Sequence, residues 1–248
     1  MLIDELHERL ADKAHGVLVQ DVRVGLAYTA VRLDTGACGL AYTFRDEAGE
    51  GCSVMRRAGS IAGQQAKDLA AWVKELNAVT AAVGLATLNA LIEAPIDATE
   101  EDIARSLRLK PSDVVGMIGY FGPLIEFMTE RTSKLHIFER HPTGDGRVLP
   151  DWAAPALLPE CDVVLLSATT IANRTIDSLL EWARHAREIA LLGPSTPMVP
   201  DLFAARGVTL LSGVRVIDAD RVLRIVSEGG GTRSFRTAVR KLVLRLNS

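Results

Sequence analysis

Hydrophobic and polar positions follow different rhythms in the two halves of this chain. Residues 17–44, VLVQDVRVGLAYTAVRLDTGACGLAYTF, are runs of β-branched and aromatic residues broken at Gly25 and at the Asp34-Thr35-Gly36 turn, which predicts two or three antiparallel strands. From about Ser60 the pattern turns helical, over 61–76 and then 78–93, both segments rich in Ala and Leu. The second, VTAAVGLATLNALIE, is apolar nearly all round and is expected to lie buried between layers. With an amphipathic first helix in MLIDELHERLADKAHG, residues 1–95 read as an α+β unit.

Residues 96–110 form a polar linker with one short helix, and beyond them strands and helices alternate through 111–248. Short apolar strands are expected at 114–118, 135–138, 163–167, 189–192 and 208–211, with helices at 124–130, 176–185 and 201–206. This predicts a Rossmann-like domain built on a mostly parallel five-stranded sheet, so the fold class is α/β. The second crossover, 140–161, holds four prolines and reads as an irregular loop. Strand order should reverse around the first strand of the sheet, and ligands bind outside the carboxyl ends of strands at such a reversal. The C-terminal run Arg233, Arg236, Arg240, Lys241, Arg245 reads as the solvated face of a helix whose other face is Phe235, Val239, Leu242 and Leu244.

The carboxyl ends of these strands carry the candidate chemistry. The first strand runs into Gly119-Tyr120-Phe121-Gly122 with Pro123 at a first helical position, the second ends on Glu139, the third on Thr169, Thr170 and Asn173, and the fourth on Gly193-Pro194-Ser195-Thr196-Pro197. Glycines allow close backbone approach and helix N-termini carry positive partial charge, so this set suits an anion or a polar heterocycle, with Phe121 available to stack on a ring. Glu139 lies about twenty residues beyond Gly119, the separation at which an acidic residue meets a ribose hydroxyl. The glycines read GxxGxxG, however, and the Walker lysine is absent. Asn173 or Thr175 also qualifies as a helix cap, while Thr169 and Thr170 can equally face a ligand. Asn89, polar on an otherwise apolar helix turn, can reach the site or bond to a core carbonyl. Tyr28 and Thr29 carry the same ambiguity, and Glu139 or His141 could serve as acid or base.

Composition narrows the partners. A chain of 248 residues with 48% hydrophobic and 24% charged residues can bury one large core or two moderate ones. A net charge of −3 offers a phosphate backbone no excess of cations, so a nucleic-acid partner is not expected. The longest apolar stretches are too short and Ala-rich to span a bilayer, and no signal peptide is legible, which predicts a cytoplasmic protein without a membrane partner. Cys38, Cys52 and Cys161 form no CxxC pair, and the five histidines lack metal-ligand spacing. No GxSxG elbow is present.

The segments VGMIGYFGPL (115–124), LHIFER (135–140), SATTIANRT (167–175), LLGPSTPMVPDLF (191–203) and GVTLLSGVRVID (207–218) together resemble the putative heavy-metal chelation family. VGLAYTAV (24–31) and VGLATLNAL (83–91) look like its usual N-terminal partner. The resemblance implies an enolase N-terminal-like α+β domain packed on a Rossmann-like domain, with a cleft between them for a metal-chelating, pterin-like or flavin-like molecule. The cofactor class is then a metal ion or a metal-chelating small molecule, and the partner a small-molecule ligand, with homo-oligomerisation left open. The expected lining is Gly119, Phe121, Gly122, Glu139, Thr169, Thr170, Asn173, Ser195 and Thr196 from the second half and Asn89 from the first. The alternatives are a nucleotide-cofactor enzyme of methyltransferase-like or dehydrogenase-like type, and a non-catalytic metal-binding protein using Cys38, Cys52, Cys161 or a histidine.

Overall fold

A computed structural model of the chain describes residues 1–49, 54, 55, 57–142 and 147–246. The first half opens with α1 (Leu2–Leu10) and continues as a three-stranded antiparallel meander, β1 (Val19–Val24), β2 (Tyr28–Leu33) and β3 (Cys38–Tyr42). A short α2 (Ala66–Ala70) runs into a 3-10 turn and then into α3 (Ala78–Leu91). Asn77 starts α3 by accepting the Thr80 N–H at 2.9 Å, and nearly every side chain of this helix is buried, as its all-round apolarity requires. The helix expected over 61–76 is much shorter, because Gly63 adopts a positive φ and an isolated bridge joins Gln65 to Leu18.

The meander is covered on both faces. Val31, Leu33 and Ala41 face the large core shared with α3, while Tyr28, Ala30 and Leu40 face a smaller cluster with Phe235.

In the second half α4 (Ile103–Ser106) precedes β4 (Val114–Ile118), α5 (Gly122–Thr129), β5 (Lys134–Glu139), β6 (Val148–Pro150) and α6 (Ala154–Leu157). The chain continues with β7 (Val163–Ser167), α7 (Thr169–Ala172), α8 (Ile176–Trp182), β8 (Glu188–Leu192), α9 (Pro200–Ala204), β9 (Leu210–Val216), α10 (Ala219–Ser227) and β10 (Val239–Arg245). Among the described residues the sheet has seven strands, not five, in the order β10-β9-β8-β7-β4-β5-β6. Six are parallel and β10 is antiparallel to β9. Numbered along the chain, the parallel strands run 3-2-1-4-5-6, so the order reverses between β4 and β7.

Two of the seven strands escaped the sequence pattern. β6 is a three-residue edge strand inside the proline-rich crossover, too short to show a period. β10 occupies the basic run expected to be a helix: Arg240 and Lys241 are exposed, Leu242 to Leu244 are buried, and the register with β9 is continuous from Val239↔Val216 to Arg245↔Leu210. Spacing among the arginines imitated a helical face, but β-branched Val239 and Val243 and an available strand edge favour pairing. The helix that does lie in this region, α10, is capped by Asp218, which accepts the Arg221 N–H at 3.0 Å, and it packs Val222, Leu223 and Val226 against the meander.

One large core joins the halves. Leu2, Leu6, Leu85 and Leu88 lie in the same cluster as Leu166, Leu191, Leu211 and Leu244 from one face of the large sheet. The other face, with Val115, Met117, Leu165 and Leu192, packs against Leu124, Ile125 and Met128 of α5. The first helix is also tied across the chain: the Leu2 N–H donates to Asp177 at 3.0 Å and Glu5 pairs with Arg206 at 2.6 Å. Among the described residues no helix is long and apolar enough to cross a membrane.

Candidate functional site

The strand order reverses between β4 and β7, and in open α/β sheets ligands bind outside the carboxyl ends of the strands at such a point. β4 is followed by Gly119, whose φ of +100° is one that L side chains rarely adopt and whose N–H donates to the Phe138 carbonyl at 3.0 Å. A Cβ at this position would lie 3.0 Å from the Cβ of Ser167 and 3.4 Å from the Phe121 ring, so only glycine lets the two strand ends meet. Gly122 and Pro123 then open α5, whose first turn no side chain caps.

At the end of β7 the Ser167 hydroxyl bonds the Thr169 hydroxyl at 2.9 Å, an arrangement in which either atom can donate. Thr170 donates to the Ser167 carbonyl at 2.6 Å and is buried. Asn173 accepts the N–H and the hydroxyl of Thr175, closing the turn between α7 and α8. The intervening Arg174 holds a positive φ of 64° while its guanidinium donates to the carbonyls of Lys74 and Glu75.

Glu139, at the end of β5, has the backbone N–H groups of Tyr120 and Arg140 close enough to favour its charged form, and His141 and Asp151 lie within electrostatic reach. The bond from the Gly119 N–H to the carbonyl of Phe138, the residue before Glu139, holds the end of β5 beside the glycine turn. Burial raises its pKa above the ordinary 4.5, and the two N–H groups oppose that shift only in part. Because the folded pKa lies above the unfolded one, this group favours folding most below about pH 4, and the contribution falls as pH rises through the folded pKa. Glu139→Gln is expected to raise the urea midpoint at neutral pH, with the gap from the parent closing near pH 4. A variant less stable than the parent at neutral pH would show that burial does not govern this carboxyl.

The remaining expected residues gather at a second place. Asn89 on α3 donates through Nδ2 to the carbonyls of Leu40 at 2.8 Å and Ser195 at 3.1 Å. Ser195 is 2% exposed, and its hydroxyl accepts the Tyr42 N–H at 2.8 Å. Thr196 donates to the Ser212 carbonyl at 2.8 Å. The Ser195 hydroxyl thereby fastens the loop after β8 to the meander, and the Thr196 hydroxyl ties the same loop to β9. Beside them opens a cavity of about 470 Å³, lined among others by Cys38, Leu40, Asn89, Thr196, Arg215 and Leu242.

The structure thus brings Gly119, Phe121, Gly122, Glu139, Thr169 and Thr170 to the reversal and places Asn89, Ser195 and Thr196 at the loop after β8. Asn173 lies in the turn beyond α7. Tyr28 is absorbed into aromatic packing with Tyr42 and Phe235, and Thr29 bonds Thr43 at 2.9 Å. Ser167 and Arg140 escaped the sequence reading. Ser167 was legible as the last residue of its strand, whereas Arg140 is revealed only by its ion pairs with Glu47, from the first half, and Asp151.

Direct metal ligation finds a poor donor set. Among the described residues no three His, Cys, Asp or Glu side chains are grouped so as to hold a metal ion. Burial pushes the Cys38 thiol up to about 12 and the Cys161 thiol up to about 11, which disfavours the thiolate that binds metal. Cys52 lies outside the described residues.

Comparison with known proteins agrees with the architecture. A family model described as Putative heavy-metal chelation (DUF364) matches residues 102–245, and a second of the same description (DUF4213) matches residues 7–92. An uncharacterized protein of Methanocaldococcus jannaschii is 28% identical over 262 residues, covering 99% of this chain and 98% of that one. The crystal structure of a DUF364-family protein of unknown function from Desulfitobacterium hafniense DCB-2 superposes with a TM-score of 0.78 at 26% identity, covering 98% of each chain. One from Pyrococcus horikoshii gives a TM-score of 0.86 at 24% identity over 99% of this chain and all of that one, a likeness of fold.

Proposed function

As the chain belongs to the family described as Putative heavy-metal chelation, we propose that it binds a small polar or anionic molecule in the crevice between β4 and β7. The molecule is either itself a metal chelator or a pterin-like or flavin-like compound. The second half is read as Rossmann-like on its 3-2-1-4-5-6 strand order, and the first as an enolase N-terminal-like partner. The observation that carries the reading is the meeting of Gly119, Ser167 and Glu139 where the strand order reverses.

Each group has a physical task there. The uncapped first turn of α5 favours an anionic group. The coupled hydroxyls of Ser167 and Thr169 can donate or accept, and so suit heteroatoms of a ring or a chelating catechol-like or carboxylate group. The raised pKa of Glu139 brings proton exchange with a bound ligand closer to neutral pH. Metal would enter as part of the ligand, consistent with the absence of a ligating cluster among the described residues.

Native mass spectrometry of freshly purified protein is expected to reveal a co-purified small molecule. With that molecule in calorimetry, Glu139→Gln and Thr169→Val should each weaken binding by about tenfold, or about 1.4 kcal/mol. Unchanged affinity in both variants would refute the assignment of the crevice. Tight binding of NAD or S-adenosylmethionine would instead indicate a nucleotide-cofactor enzyme.

A further inference from the structure

The outer edge of the meander is open. Among the described strands β1 pairs with β2 alone, which leaves it at the end of the β1-β2-β3 sheet. The Gly25 N–H donates to the Tyr28 carbonyl at 2.9 Å, and hydrogen-bonding direction alternates along an antiparallel strand. Asp21 and Arg23 therefore aim their backbone groups at β2, while Val22 and Val24 aim theirs outward. Both ends of this edge are closed off. Val19 is bonded on its outer side, donating to the Gln64 carbonyl at 2.9 Å and accepting the Gly63 N–H at 2.8 Å, and the hairpin turn begins at Gly25. The free stretch is residues 20–24, with Val22 at its centre.

Charge is arranged around the same centre. Asp21 and Arg23 lie two residues apart on one face of the strand and bind each other at the surface through two contacts of 2.8 Å. Charged side chains on an edge strand normally keep a second chain away. Here the signs are opposite and symmetric about Val22, so a second copy laid antiparallel, Val22 facing Val22, brings Asp21 of each chain opposite Arg23 of the other. Each charge keeps its own partner and gains another. A parallel copy in register, or an antiparallel one shifted by two residues, sets like charges opposite each other instead. Apolar side chains agree with the symmetric arrangement. Leu18 and Leu26 stand at either end of the stretch, 38% and 65% exposed, and the two-fold carries Leu26 of each chain to the end where the other has Leu18.

We propose that this edge is a docking surface for a second copy of the chain, joining two meanders into one six-stranded antiparallel sheet across a two-fold axis at Val22. The two Val22 residues exchange N–H to carbonyl bonds, the Asp21 and Arg23 side chains close into a ring of alternating charge, and the leucines are covered at its two ends. α10 packs over both β1 and β2. Its two copies therefore come side by side about two strand spacings apart, or about 10 Å, a distance at which helices pack.

Sedimentation velocity on the full chain over a concentration series is expected to show a monomer–dimer equilibrium. Asp21→Arg alone gathers four arginines at the two-fold and Arg23→Asp alone gathers four aspartates. Each should weaken self-association by about tenfold or more while the chain stays folded by circular dichroism. Mixing the two variants should restore the dimer, as a heterodimer in which every facing pair again has opposite sign, a rescue that a merely structural effect of either change does not produce. A parent chain that stays monomeric throughout leaves the edge to solvent or to a different protein and overturns the proposal. Single variants that associate like the parent would place the contact elsewhere and overturn it too, as would the absence of rescue on mixing.

Discussion

Gly39→Val is expected to cost about 3 kcal/mol or more, the upper end for overpacking. β3 lies so close to α3 that a Cβ at position 39 would sit 2.1 Å from the Ala86 carbonyl oxygen and 2.3 Å from the Ala90 nitrogen. Both are helix backbone atoms, so no side-chain rotation relieves the clash and α3 must move as a body. The displacement would also pull Asn89 away from the Leu40 carbonyl, since that bond spans the same contact. Urea unfolding measures the loss, and Gly39→Ala should already show much of it. A cost below about 1 kcal/mol for the valine variant would mean that β3 and α3 can separate cheaply.

Glu188→Ala is expected to cost about 3 to 5 kcal/mol, because it strips the partner from charges held at the amino-terminal edge of the sheet. Glu188 begins β8 and is 3% exposed. One carboxylate oxygen accepts the Arg108 N–H at 2.9 Å, and the other pairs with Arg245 at 3.0 Å. Arg245, at the end of β10, also donates to the Ser106 carbonyl. Beside this network Asp113 pairs with Arg187 at 2.8 Å and accepts the Lys110 N–H at 2.7 Å. Three separate pieces of chain, residues 106–113, β8 and β10, are thereby held in register. The double variant Glu188→Ala, Arg245→Ala should be less destabilised than the sum of the single changes, since neither charge is then left alone. Chemical denaturation at neutral pH reads all three, and strict additivity would show that the two side chains do not act as a pair.

Both networks bear on the sites at the opposite edge of the sheet. The close approach of β3 to α3 sets where Asn89 points, and the ion pairs anchor the strands whose carboxyl ends carry the crevice. A binding site needs its groups held more rigidly than hydrophobic burial alone provides.

How far this was legible in the sequence varied with the range of the cause. Val114 to Ile118, Val163 to Ser167 and the buried 78–91 helix announced themselves, because their neighbours in sequence carry the periodicity that burial demands. The Gly119 turn was legible for the same reason: a strand, a glycine and a first-turn proline are all local. β10 was misread because the partner that makes it a strand, β9, is separated from it by the whole of α10. The helix over 61–76 was overextended because its Ala-rich composition is a weak preference that a bridge between Gln65 and Leu18 overrides.

The same division runs through the candidate sites. Local pattern was enough to say that the chain is α/β, where five of the six parallel strands among the described residues lie, and which small and polar residues stand near their carboxyl ends. Which of those groups remain available to a ligand was decided by the packed chain: Ser195 is occupied by Tyr42, Thr196 by Ser212, Thr170 by Ser167, and Asn89 by Leu40 and Ser195. Periodicity reports burial because every turn of a helix or step of a strand repeats it. The pairing of one polar atom with another across the fold repeats nothing, and only the packed chain determines it.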